Sequence, residues 1–129
     1  MKLHRAAVLG AIVVALTACG GTSSSAQAKS RAIAYMNALL AGDGATACPM
    51  LTAKAKQTIF GVGADCRSAI RSLQAGFGSD VSQVREALKK GVKADAQGDD
   101  ATVYFTLGST TPSLLLKRVG GVWYVNGSS

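Results

Sequence analysis

The hydrophobic period of this chain changes once, near Gly91, and that change limits the fold more than anything else in it. Before Gly91 the apolar residues recur at three and four; after it they alternate. Residues 27 to 41 carry Ile33, Met36 and Leu40 on one stripe, with Ala32, Tyr35 and Leu39 beside it, which predicts a helix. Gly42-Asp43-Gly44 stops it. Asp43 or Thr46 is placed to cap a short second helix through Cys48, Pro49 and Leu51, and Thr52 a third over 53 to 60. Asp65 then caps a helix whose face is Cys66, Ile70, Leu73 and Phe77, and residues 80 to 90 repeat the pattern through Val81, Val84, Ala87 and Leu88.

Beyond Gly91, Val92, Ala94 and Ala96 alternate with Lys93, Asp95 and Gln97. Gly98-Asp99-Asp100 reads as a turn, 101 to 107 as a strand rich in β-formers, and 113 to 119 as another. Gly120-Gly121 fits a two-residue hairpin turn into a last strand, Val122-Trp123-Tyr124-Val125. Helices followed by an antiparallel meander of about four strands is an α+β arrangement, and residues 27 to 129 are the right length for one domain of that kind.

The residues ahead of that domain are of another kind. Met1 to Arg5 holds Lys2, His4 and Arg5; Ala6 to Leu16 holds no charge. A basic start and a short apolar run are the parts of a secretory signal. The run is shorter than the roughly 20 residues a spanning helix needs. Leu16-Thr17-Ala18-Cys19-Gly20 follows directly and resembles the lipobox of bacterial lipoproteins. The resemblance implies removal of residues 1 to 18 and a diacylglycerol thioether on the Cys19 sulfur. Two or more acyl chains anchor durably where one does not. The expectation is therefore an exported chain held at the cell membrane or envelope surface, with residues 19 to 26 (Gly- and Ser-rich) as a flexible tether.

With Cys19 acylated, Cys48 and Cys66 remain, and export puts them where disulfides persist. A structural bridge is the expected use, joining the short second helix to the first turn of the Asp65-capped one. A redox pair would be expected as Cys-x-x-Cys, which this spacing is not. A metal site would need further ligands, and the only histidine, His4, lies in the leader.

The net charge is +7; fourteen Lys and Arg less Lys2 and Arg5 leave twelve against seven acids, or +5 for the processed chain. Such a surface suits anionic lipid or wall polymer, but the charges are scattered. With 5% aromatic residues and no basic run, nucleic acid is not an expected partner.

The order of elements is similar to the nuclear transport factor 2-like, cystatin-type cone. It is carried by Ala41-Gly42-Asp43 after the first helix, by Gly98-Asp99-Asp100-Ala101-Thr102-Val103 into a strand, and by Lys117 through Val125 at the end. This resemblance implies a curved sheet with a concave face able to hold a small apolar ligand, and an open face that often pairs with a second copy. It nominates Tyr35, Tyr104, Trp123 and Tyr124 as pocket-lining residues. Enzymes of that family place an Asp, His or Tyr inside the cone. Here the processed chain keeps no histidine, and Asp43, Asp65 and Asp80 stand where caps belong. Asp99 and Asp100 are turn residues, and Asp95 alternates out of phase with the apolar positions. No catalytic residue, metal site or cofactor motif is therefore nominated. The leading expectation is a non-enzymatic lipoprotein that binds an envelope protein or plays an accessory part. The second is a carrier or sensor of a small apolar molecule. The third, an isomerase or cyclase, would need a carboxylate inside the cone.

Overall fold

The computed structural model describes residues 23 to 129. The expected leader and Cys19 lie outside the described residues. Among the described residues five helices precede four strands: α1 (Ser24–Leu40), α2 (Gly44–Ala47), α3 (Ala53–Phe60), α4 (Cys66–Phe77), α5 (Val81–Lys90), β1 (Val92–Gln97), β2 (Asp100–Phe105), β3 (Ser113–Val119) and β4 (Val122–Ser128). Short 3-10 turns, Cys48–Met50 and Gly78–Asp80, follow α2 and α4. The strands form one open antiparallel sheet in the order β1-β2-β3-β4, so the fold is α+β.

Side chains of the sheet alternate cleanly. Ala101, Val103, Phe105, Leu114, Leu116, Trp123 and Val125 are buried on the inner face. Lys93, Asp95, Tyr104, Leu115 and Lys117 stand on the other, in solvent. Full burial of a side chain such as Leu116 or Val103 contributes about 1.5–3 kcal/mol. A register shift between Leu115 and Leu116 in the β3–β4 pair accommodates the longer β4, which runs three residues past the expected Val125.

Helix α1 lies across the inner face. Its buried positions are Ala28, Ala32, Tyr35, Ala38, Leu39 and, from the predicted stripe, Leu40, while Ile33 and Met36 are only half-buried. The helix is thus turned from the stripe predicted around Ile33 and Met36. The sheet beneath is filled by large side chains, so the small Ala28 and Ala32, fully buried, are what lets the helix come close.

The start of α1 corrects the expected tether. Ser23 caps the helix by accepting from the Ala26 amide. Ser25 Oγ accepts from the Ala96 amide at the end of β1, and Ser24 Oγ accepts from Arg118 Nη1 on β3. Residues 24 to 26 therefore belong to the domain. The same serines that read as a flexible linker are satisfied by long-range hydrogen bonds.

Both sheet edges are partly closed. On the β4 side, Arg31 Nε donates to the Trp123 carbonyl at 2.8 Å, and the Thr52 amide donates to the Val125 carbonyl. On the β1 side, Ser25 takes the Ala96 amide. These contacts occupy groups that a bare edge would offer to another chain.

Cys48 and Cys66 form a disulfide, with their Cα atoms 6.0 Å apart. It joins the turn after α2 to the first residue of α4. Close by, Gly44 sits under α4 so tightly that a Cβ there would stand 2.7 Å from the Arg67 Cα. Asp43 and Asp65 cap α2 and α4 as expected, whereas Asp80 makes no side-chain cap for α5. Leu73, expected on the buried face of α4, is 37% exposed, while Ile70 before it is buried and Phe77 after it is partly buried against the core. No helix among the described residues is long and apolar enough to cross a membrane.

Candidate functional site

Helices α4 and α5 leave a gap against the far end of the sheet. α4 ends at Gly78, whose positive φ of 51° turns the chain sharply into the 3-10 turn. α5 then returns to β1 across this end, burying Val84 and Leu88. The result is a cavity of about 320 Å³. Met36 of α1, Phe77 of α4, and Val84, Ala87 and Leu88 of α5 form one wall; Phe105, Leu107, Pro112 and Leu114 form the other.

The polar members of the lining are three hydroxyls, Ser113, Ser128 and Ser129. Ser113 Oγ and Ser129 Oγ are hydrogen-bonded to each other, and the two residues also exchange backbone bonds. That pairing satisfies groups which would otherwise leave a polar demand in the wall. Among the described residues no charged side chain lines the cavity. Its volume falls at the small end of the roughly 300–1,000 Å³ typical of ligand pockets. An uncharged, largely hydrocarbon molecule is what such a wall can hold without leaving a charge unpaired.

The four nominated aromatics are elsewhere. Tyr35 is in the core under α1, 2% exposed, and burial pushes its phenol up to about 12. Tyr104 stands on the outer face of the sheet, 41% exposed. Tyr124 is half-buried on that same face, with the Arg31 guanidinium 5.8 Å from its ring centre. Trp123 points inward at the other end of the sheet from the cavity, with Arg118 5.1 Å from its ring centre. Its indole N–H is buried without a hydrogen-bond partner among the described residues. Trp123 does line a shallow open groove with Gln27, Ser30 and Arg31. The strand alternation explains the misplacement of the two tyrosines: both fall in phase with Lys93 and Lys117, not with Val103 and Val125.

Each of the seven acids is exposed. Hydrogen bonds from Thr46 hold the Asp43 carboxyl below its usual range, and hydrogen bonds from Ser68 do the same for Asp65. Asp99 pairs with Arg118 at 3.1 Å, and Glu86 lies near Lys89 and Lys90. Asp95 is on the outer face of β1, opposite Thr102. Among the described residues no three His, Cys, Asp or Glu side chains cluster as a metal site would require.

The cavity residues were individually readable as helix and strand faces. Met36, Phe77, Val84 and Leu88 all sit on predicted apolar stripes. What periodicity does not report is a place where facing stripes fail to meet. Compared with family models, curated proteins and solved structures, the chain matches none.

Proposed function

We propose that this chain is an exported lipoprotein, held at a membrane through acyl groups on Cys19, whose folded domain binds a small uncharged apolar molecule between α4, α5 and the sheet. The binding part rests on one observation: a cavity of about 320 Å³ whose wall is mostly aliphatic and aromatic, with three serines and, among the described residues, no charged side chain. The anchoring part rests on the basic start, the short apolar run and Leu16-Thr17-Ala18-Cys19.

This reading turns the emphasis from a partner protein to a small ligand. It also makes the domain a carrier or sensor and not an enzyme. Every Asp and Glu side chain among the described residues is exposed, and none lines the cavity, so no side-chain carboxylate is placed there to act as a general acid or base.

The test uses a neutral fluorescent naphthylamine, N-phenylnaphthylamine, whose emission rises in apolar surroundings. The wild type is expected to bind it saturably. Ala87→Trp, which puts an indole into the cavity from its half-buried rim, is expected to lose that binding and to lower stability by no more than the roughly 1–3 kcal/mol of a tolerated overpacking. Saturable binding unchanged in A87W would place the apolar site elsewhere.

A further inference from the structure

We infer that the end of the domain formed by the β3–β4 hairpin and the start of α1 rests on the bilayer, with Val119 and Val122 seated at the headgroup level. The inference depends on anchorage through Cys19, proposed above.

The hairpin turns at Gly120-Gly121, and Val119 and Val122 face each other across it. They are 55% and 43% exposed, β-branched apolar side chains standing in solvent at a projecting turn. Their neighbours Arg118 and Trp123 stack on each other toward the helices, so the two valines point the other way. Behind them on the same face lie Lys117 and Tyr124, also directly across from each other. Apolar tips backed by tyrosine and lysine suit the boundary between hydrocarbon and water.

The position of the tether selects this end over the other. Arg118 Nη1 donates to Ser24 Oγ at 3.2 Å, so the hairpin base and the start of α1 are neighbours. Cys19 lies only four residues before Ser23. A chain of that length reaches at most about 14 Å. The acyl groups therefore hold this end near the bilayer. The cavity is at the opposite end, where Leu114 pairs with Ser128, about 17 Å from Val119 along β3. Ligand would then exchange with the aqueous side.

Charge does not carry the contact. On the hairpin itself Asp99 is paired with Arg118, and Asp100 is opposite Lys117 across the β2–β3 ladder, while Arg31 of α1 turns its Nε to the Trp123 carbonyl. Attachment of this end should accordingly be insensitive to salt.

Trp123, the single tryptophan, is 4% exposed and points away from the valine face. Every chain tested therefore carries W123F/Y124W, which moves the one indole to the face of Val119 and Val122, and wild type here means that background with both valines intact. The full chain, expressed with a lipidation system and shown by mass to be acylated, is reconstituted in vesicles of phosphatidylcholine and phosphatidylglycerol. Parallel vesicles carry bromine on the acyl carbons nearest the headgroup. Brominated lipid is expected to quench that indole in the wild type at low and high salt alike. V119D/V122D, or V119S/V122S should the first fail to fold, is expected to float with the vesicles yet escape quenching. A wild type that floats but is not quenched overturns the inference and leaves the anchorage standing. A wild type that does not float removes both. Quenching that survives in the variants, or cross-linking of the valine face to a second copy, also overturns it.

Discussion

Asp43 and Asp65 begin two helices in the same way. Each carboxylate accepts from a backbone amide and a hydroxyl three residues on, Thr46 in one case and Ser68 in the other. Those bonds favour the charged form, so both groups titrate lower in the folded chain than in the unfolded one. Stability from them is present above the unfolded carboxylate value of about 4 and is lost as pH falls through the folded values. Asp65→Asn keeps an acceptor for the Ser68 amide but does not titrate. Its melting temperature, followed downward from pH 5, should fall less steeply than that of the wild type, and adding Asp43→Asn should flatten the curve further. A slope unchanged in the double variant would mean that acid sensitivity arises elsewhere. Gly44 shows a different constraint. Any side chain there meets the α4 backbone at Arg67, which cannot step aside as a flexible side chain could. Gly44→Ala should cost about 1–3 kcal/mol in denaturant unfolding; a cost near zero would mean that α2 and α4 separate freely.

At the scale of elements, the Cys48–Cys66 bridge ties the α2 turn to α4. The two cysteines are 18 residues apart, and a closed loop of that size stabilises by about 3 kcal/mol on the chain-entropy account. C48S/C66S should lose about that much. Hydrogen exchange should localise the loss, with faster exchange in α3 and α4 and little change in β2 and β3. Uniform acceleration across the sheet would show that the bridge supports the whole domain. These elements were legible to different degrees. The strands, the hairpin turn and the caps at Asp43, Thr52 and Asp65 follow from local chemistry, and a local reading finds them. The first turn of α1 does not. Its serines resemble a linker, and what orders them is Ala96 and Arg118, 71 and 94 residues further on. Asp80 errs the other way: it stands in a cap position, but the chain arrives already turning in 3-10 geometry and needs no side-chain acceptor there.

For the molecule as a whole, helices and sheet meet well at one end and incompletely at the other. Where α1 starts, Arg31, Ser24, Ser25 and Arg118 lock helix to strands by hydrogen bonds. Where α1 ends, α5 spans the gap with Val84 and Leu88, and the space under them is not filled. That empty volume was hidden from the sequence, because it belongs to the distance between Phe77, Leu107 and Leu114 and to none of them alone. Aromatic residues drew attention instead, and they serve as core (Tyr35), as edge packing (Trp123) and as outer-face groups (Tyr104, Tyr124). The central claim is that the gap is a binding site. Native mass spectrometry of the wild type and of A87W, each purified from the membrane that produces it, tests this most directly. The account predicts a dissociable uncharged adduct on the wild type that is missing from A87W. A wild type as bare as the variant, with the naphthylamine also excluded from both, would contradict it.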